Sequence, residues 1–398
     1  MSIGDNMDRL ILHIDVNNAF LSWTAVNKLE NGDIFDIRTV PSIIGGDEAQ
    51  RHGIVLAKSM PAKALGIKTA DPIYFAKQKC KELIVFPADF IVYKKYSDDL
   101  YNLLSEYTDK IERFSIDECF MDMTGGLLKH KTIEDVAEEL LERVYKELKF
   151  TVNIGISNNK LLAKMASDFE KPNKIHTLYP REIENKMWQL PVSELFMVGK
   201  KSIDKLKIMQ INTIGDLAKI EYNSLIKKFG KFGDLIWKYA NGIDDSEVIY
   251  TNQKPKGIGN ETTLAQDLSD YNKICEYLLP LTEQTMHRLR KENMSATVVN
   301  IKIKTKEFKL LTHQKKLAEA TNSTKEVYKS AKELLKDILN NHSIRLIGIR
   351  VDGLVDNNQI QLSLFDVENN NKQKNLDKVM DIIKEKHGYN SIKRGGKI

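Results

Sequence analysis

The chain has 398 residues, room for two to four domains at roughly 150 residues each. Its 42% hydrophobic content excludes a wholly disordered protein, and no run approaches the ~18 apolar residues of a membrane span, so no membrane association is expected. Sixty Lys and Arg against 55 Asp and Glu give a net charge of only +5, but residues 254–351 alone hold 18 bases and 11 acids. That stretch therefore carries all of the excess, which suggests a basic module holding a polyanion while a near-neutral body does chemistry. The N-terminal MSIGDNMDRLILHIDVNN lacks a basic stretch followed by an apolar core, so no secretory signal is expected. Cys80, Cys119 and Cys275 form no CxxC pair, which argues against a structural zinc or a disulfide framework and fits a reducing cytoplasm.

In chain order, Leu10–Val16 (LILHIDV) reads as a buried strand, and Asn17–Leu29 as a helix burying Leu21, Ala25, Val26 and Leu29. Val40–Ile54 reads as a Gly-containing loop or hairpin. Ser59-Met60-Pro61 followed by AKALG reads as a helix start with Gly66 at its end. A helix is predicted over Asp98–Lys110, and one half-buried strand over Ile111–Met123 from its alternation. An amphipathic helix at Ile133–Leu148, a strand at Thr151–Ile156 and a helix at Asn159–Phe169 follow.

From Pro191 to Ala240 the pattern is helical, broken at Gly199, Gly215 and Gly230, and Ile243–Lys256 reads as a polar linker. Beyond it, helices at Tyr271–Glu292 and Thr324–Leu339 alternate with strands at Thr297–Thr305 and Arg345–Val351. After Asp366 the chain reads as a flexible polar segment, then a charged helix at Leu376–Lys386. The order is α+β and multidomain, without the regular repeat of a doubly wound sheet.

Asp15 ends an apolar strand, and Asp117-Glu118 lie in another. Acids are rare in buried strands because an unpaired buried carboxylate is costly. Adjacent strand residues point to opposite faces, but at a strand end or bulge both Asp117 and Glu118 can reach one cation. Hard oxygen ligands suit Mg²⁺, and two such ions support in-line displacement at phosphorus. Spacing alone leaves open the plain alternative of three acids on exposed strand edges or in turns.

Several motifs in series narrow the choice. Leu12–Phe20 (LHIDVNNAF), Ser115–Gly125 (SIDECFMDMTG), Gly155–Asn173 (GISNNKLLAKMASDFEKPN), the helical Pro191–Ala218 and Gly259–Leu268 (GNETTLAQDL) together resemble the Y-family of DNA polymerases, the translesion class, over residues 9 to 366. The resemblance implies a right-hand polymerase. Its ferredoxin-like palm would span 1–17 and 88–173, small fingers 18–87, and a helical thumb with a helix-hairpin-helix 174–242. A linker at 243–256, an α+β DNA-binding little finger at 257–354 and a tail at 355–398 complete it.

The same resemblance assigns roles. Asp15, Asp117 and Glu118, with the Val16 carbonyl, would bind two Mg²⁺ ions. Phe20 would be the steric gate that rejects a ribose 2′-OH. Lys63 and Lys171 would hold the triphosphate, with Met60 standing where many relatives have a phosphate-binding Tyr. Lys63 replaces an Arg and so lacks a bidentate fork. Asn17 stands where the family motif carries a second acid, and MVGKKS (Met197–Ser202) departs from a Gly-x-Gly hairpin.

Gly199, Lys200 and Lys201 at a helix start, and the alternating Lys302, Lys304 and Lys306, would contact DNA phosphates without reading sequence. Residues Gln361–Phe365 (QLSLF) are similar to the pentapeptide that docks on the bacterial sliding clamp, through Gln361, Leu362, Leu364 and Phe365. Primer-template DNA, dNTPs and the clamp are the implied partners of a cytoplasmic, monomeric, proofreading-free polymerase. The rivals are a catalytically weak or inactive DNA-binding accessory factor of the same fold, favoured by Met60, Lys63 and Met197, and a nucleotide cyclase. Retention of three carboxylates argues against the first; the helical thumb, basic module and clamp-like peptide argue against the second.

Overall fold

The computed structural model describes residues 9–47, 53–126, 132–251, 254–340, 342–357, 367–388, 391, 392 and 394, without the side chains of 367–374. The QLSLF peptide lies outside the described residues. The chain divides into two compact units, residues 1–46 with 54–252, and residues 253–398 with 47–53.

The first unit is built on a five-stranded sheet ordered β5-β6-β1-β7-β8. Its strands are β1 (Ile11–Val16), β5 (Ile111–Arg113), β6 (Glu118–Asp122), β7 (Val152–Ser157) and β8 (Ile175–Thr177). Every residue of β1 and β7 is buried, because both strands are covered on two faces. Leu12, Ile14 and Val16 join the core formed with helices α1 (Ala19–Glu30), α4 (Phe90–Leu104) and α5 (Ile133–Arg143). The alternate residues Ile11, His13 and Asp15 face the other way, as the period-2 pleat requires, toward helix α6 (Lys160–Ser167). Helix α6 can lie this close because Gly155 of β7 has no side chain: a Cβ there would sit 1.9 Å from the Ala163 carbonyl.

A small three-stranded sheet, β3-β2-β4, follows α1 in sequence. It comprises β2 (Ser42–Gly45), β3 (Val55–Lys58) and β4 (Ile84–Pro87), with α2 (Met60–Ala64) and α3 (Ile73–Lys79) packed on it. Ser59 caps α2 by accepting from Ala62 N at 3.1 Å. Four helices complete the first unit: α7 (Lys200–Ile208), α8 (Ile214–Lys219), α9 (Tyr222–Phe229) and α10 (Lys231–Ala240), around their own apolar core. Residues 243–249 have no regular structure but are pinned down: Asp244 accepts from Leu161 N (3.0 Å), Glu112 accepts from Ile249 N (2.6 Å), and Val248 is buried.

The second unit is a four-stranded antiparallel sheet, β11-β10-β12-β9, made of β9 (Gly257–Leu268), β10 (Met294–Thr305), β11 (Leu310–Thr321) and β12 (Ile344–Asp356). Helices α11 (Tyr271–Lys291) and α12 (Thr324–Leu339) cover one face, leaving the alternate residues on the open face.

The structure corrects the sequence reading at six places. Helix α4 starts at Phe90 rather than 98, because Asp89 caps it by accepting from Ile91 N and Val92 N (3.0 and 3.2 Å), and it stops at Leu104. Residues 111–123 form two strands around a turn, so Asp117 precedes β6 instead of lying within a strand. Gly215 lies inside α8, beneath Trp188, and breaks nothing. The sequence reading passed over β9 and β11, both edge strands, the first mostly half-buried and the second largely exposed, whose polar residues carry little apolar pattern. Finally, a helix α13 (Val367–His387) begins directly after Asp366, where a flexible segment was expected.

Acid–base pairs hold α13 on α11. Arg290 grips Asp381 with a fork of 2.6 and 2.8 Å, Lys384 Nζ lies 2.6 Å from Glu283 in a buried pair, and Asp377 accepts from Arg394 and from Thr324 N at 3.1 Å. Burial by itself would raise the Asp381 carboxyl, but the hydrogen bonds and charge of Arg290 outweigh it and hold it below its ordinary range. A depressed carboxyl contributes stability above its unfolded value, near pH 4, and loses it only as the pH falls through the lower folded value. Removing one partner of such a pair strands the other. Arg290→Met is therefore expected to cost about 3–5 kcal/mol, and Arg290→Met with Asp381→Leu much less. Hydrogen exchange of the α13 amides checks this, and equal losses in both variants would remove the clamp.

Candidate active site

The candidate site lies where β1 ends. In the antiparallel register Asp15 of β1 stands opposite Glu118 of β6 on one side and Asn153 of β7 on the other. Directly opposed residues share a face, so Glu118, Asp15 and Asn153 form one row across three strands, beneath α6. Asp117 sits in the turn just before this row. Its carbonyl accepts from Val16 N (3.0 Å), and its carboxylate accepts from Ser115 Oγ at 2.6 Å. The turn thus places Asp117 and Glu118 beside the end of β1.

Two lysines answer the two row carboxylates. Lys164 of α6 donates to Glu118 at 2.7 Å, its ammonium lying within 6 Å of the Phe114 and Phe196 rings. Lys171 donates to Asp15 and, at 2.9 Å, to Asp168. The Asp15 carboxyl is pushed up from 3.8 to about 6, first by burial and then by the charges of Glu118 and Asp168, against the opposing pull of Lys171. Burial would lower the Lys171 ammonium, but Asp15 and Asp168 outweigh that and raise it. His13, two residues before Asp15 and fully buried, is lowered by burial and then by Lys164, Lys171 and Lys160, so it is neutral and bonded to Ser167 Oγ (2.7 Å).

The donor chemistry fits a divalent cation. Asp15 and Glu118 stand opposite each other near the end of β1 with Asp117 in the adjoining turn, all hard oxygen donors of the kind a divalent cation takes, and the Lys171 ammonium stands against the buried Asp15 as a cation. Among the described residues no three acidic, His or Cys side chains are grouped closely enough to chelate an ion as they stand. Asp15 and Glu118 are engaged with lysines instead. Lys171, expected at the triphosphate, is the partner of Asp15 here.

Phe20 lies in the first turn of α1, half-buried. Its ring stacks on Tyr93 (centroids 4.6 Å apart, planes at 13°), with Phe90 edge-on at 5.8 Å. Lys63 is exposed at the end of α2, and Met60 starts the same helix. Lys58, at the end of β3, is a neighbour that sequence reasoning passed over. Burial first and the Lys63 charge second lower its ammonium, and it donates to Thr69 Oγ1 at 3.0 Å. Lys164 was also missed, although a lysine within LLAKMAS, on a helix whose eight residues are all buried, was a signal. No sequence signal marked Asn153 or Tyr93, whose importance comes from cross-strand register and ring stacking.

Gly199 is the N-cap of α7, with Lys200 and Lys201 exposed in its first turn and Met197 just before it in a left-handed conformation (φ 72°). In the second unit Lys302 and Lys304 alternate with the buried Ile301, Ile303 and Thr305, and Lys306 follows the strand. Lys302 reaches Glu261 at 2.5 Å across Gly348, in a shallow trough of about 470 Å³ on the open sheet face that Asn300, Thr312 and Arg350 also line.

The chain matches the impB/mucB/samB family model over residues 14–168, that family's C-terminal domain over 255–364, and a DNA polymerase-iota thumb domain over 193–244. It is 48% identical to DNA polymerase IV of Clostridium acetobutylicum, with 98% of each chain covered. It is 36% identical to DNA polymerase IV of Acetivibrio thermocellus, over 98% of this chain and 97% of the relative. Among solved structures, a Y-family DNA polymerase chimera of Dbh and Dpo4 superposes with a TM-score of 0.76 at 24% identity, over 87% of this chain and all of that one. The fold is that of a right-hand polymerase, with the five-stranded sheet as palm, the small sheet as fingers, the four helices as thumb and the second unit containing the little finger. The chain belongs to the Y-family of DNA polymerases.

In metal-free protein the raised Asp15 gives a pH signature. A folded state that binds this proton more tightly than the unfolded one is favoured at acid pH and loses the contribution as pH rises from about 4 through 6. Asp15→Asn is neutral throughout, so it is expected to gain about 1–3 kcal/mol over the wild type at pH 7.5 and nothing at pH 4. Urea melts in chelator at the two pH values measure the difference, and an equal offset at both would show Asp15 unperturbed.

Proposed function

We propose that this DNA polymerase adds dNTPs to a primer 3′-hydroxyl by two-metal nucleotidyl transfer and copies damaged templates in DNA damage tolerance. The observation that carries the reading is the row of Asp15 and Glu118 on neighbouring strands, with Asp117 in the adjoining turn. Asp15, Asp117, Glu118 and the Val16 carbonyl would hold two Mg²⁺ ions. Those ions, when bound, supply activation of the 3′-hydroxyl and neutralisation of the leaving pyrophosphate.

The protein's own groups then divide the remaining work. Phe20, held flat against Tyr93, would block the space that a ribose 2′-OH needs. Lys63, with Lys58 beside it and Met60 in the same helix, offsets charge on the β- and γ-phosphates. Lys171 joins them by exchanging Asp15 for phosphate. Gly199, Lys200 and Lys201 of the thumb, and Lys302, Lys304 and Lys306 of the little finger, hold the duplex through its phosphates. Such contacts carry no sequence information, as a copying enzyme requires.

Domain limits of 1–17 with 88–173 (palm), 18–87 (fingers), 174–242 (thumb) and 257–354 (little finger) accompany this reading. QLSLF would tether the enzyme to the sliding clamp through Gln361, Leu362, Leu364 and Phe365. A monomer working in the cytoplasm is consistent with three free cysteines and with a described set of helices none of which is long and apolar enough to cross a membrane.

Asp117→Ala is expected to abolish primer extension with Mg²⁺ while DNA binding is retained. Full extension by that variant would overturn the site, and the accessory-factor reading requires that the wild type itself not extend. Phe20→Ala is expected to raise ribonucleotide incorporation at least about tenfold, since a hydrophobic clash of this kind is worth about 1–3 kcal/mol. Unchanged sugar discrimination would remove the gate.

A further inference from the structure

We propose that Asn17 and Asn153 are positioning residues whose paired side-chain amides hold the turn at residues 170–174, and thereby set the affinity for the incoming nucleotide through Lys171. The inference rests on the proposed polymerase site and names two residues to which that reading gives no role.

Both amides are buried, Asn153 completely and Asn17 to all but 6%. Asn17 Nδ2 donates to Asn153 Oδ1 at 3.2 Å. The turn is then bound on both sides of Lys171. Before it, Asn153 Nδ2 donates to the Ser167 and Glu170 carbonyls at 3.1 and 2.8 Å. After it, Asn17 Oδ1 accepts from Asn173 N at 2.9 Å, and Asn153 Oδ1 accepts from Lys174 N at 3.2 Å. Both donors of Asn153 are in use and its oxygen accepts twice, so Asn153 has no hydrogen-bonding capacity to spare.

The strand register explains why the clasp acts on the site. Asn153 stands opposite Asp15, and Asn17, in the turn that follows the strand two residues after Asp15, reaches the same Asn153 side chain. The same two amides therefore tie the strand that carries Asp15 to the turn that carries Lys171. The chemistry also makes their identities interdependent. A carboxylate at position 17 keeps the acceptor for Asn173 N but cannot donate to Asn153 Oδ1, leaving two buried acceptors face to face. Turning the Asn153 amide over would relieve that clash only by losing its bonds to Ser167 and Glu170.

The test uses the full chain with primer-template DNA, Mg²⁺ and a single correct dNTP. Asn17→Asp, nearly identical in shape, is expected to raise the KM for dNTP about tenfold with kcat within about threefold, because it misplaces a positioned group without removing it. Lys171→Ala is expected to raise KM similarly, and the double variant no further than Lys171→Ala alone, since the amides act through that lysine. Hydrogen exchange supplies a readout apart from activity. In Asn17→Asp the amides of Asn173 and Lys174 lose protection while those of β1 and β6 keep theirs.

Unchanged KM in Asn17→Asp, fully additive KM effects in the double variant, or exchange that quickens across the whole sheet would each overturn the positioning role. Should Asn17→Asp fold poorly, Asn17→Ser, which keeps an acceptor and a donor on a shorter arm, is expected to fold and show the same split, and a proportional fall in kcat instead would overturn it. These outcomes leave the polymerase reading standing, whereas absence of extension by the wild type overturns both.

Discussion

The site is organised by one electrostatic constraint: a carboxylate on a strand buried on both faces needs a counter-charge. Asp15 sits in the central part of the palm sheet with helix α6 overhead, and burial pushes its carboxyl up to about 6 even with a lysine beside it. Glu118, opposed to it across the register, adds like charge at short range. A structure can hold such a pair only by importing cations, and the palm does so with Lys164 from above and Lys171 from the following turn. In the reading proposed above, the same demand is what suits this place to divalent ions and polyphosphate.

Much of the surrounding architecture follows from this. Helix α6 lies close against the sheet at Gly155, which brings Lys164 within reach of Glu118. The turn after α6 is fastened by Asn17 and Asn153 so that Lys171 reaches Asp15. Ser167 bonds the neutral His13 beneath through Nδ1 and donates to the Lys164 carbonyl, while Nε2 of His13 is buried without a hydrogen-bond partner. On the opposite face of the sheet the core is mainly aliphatic, with Trp23, Tyr93 and Tyr96 among its residues.

The little finger is arranged differently. One sheet face, bearing Lys302, Lys304 and Arg350, is left open while α11 and α12 seal the other. The carboxylates of Glu261 and Asp352 are interleaved with those bases, which tempers the field. Helix α13 is fastened to α11 by ion pairs of Asp381 with Arg290 and of Lys384 with Glu283.

Local sequence determined what local chemistry can specify. The apolar run before Asp15, the Ser59 cap, the amphipathic periodicity of α5 and α12 and the motif residues themselves were all legible, because each depends on neighbours a few positions away. Asp15 and Glu118 were legible as acids in strands, whereas Asp117, read as a strand residue, lies in the turn before β6. Tertiary structure alone decided the rest. Edge strands β9 and β11 owe their form to hydrogen bonds from one flanking strand and carry no apolar alternation to read. Lys164 on Glu118, Lys171 on Asp15, Tyr93 behind Phe20 and the Asn17–Asn153 pair join residues 46 to 156 positions apart. Which side chains meet at such separations is set by strand register and helix packing, quantities that no stretch of sequence contains by itself.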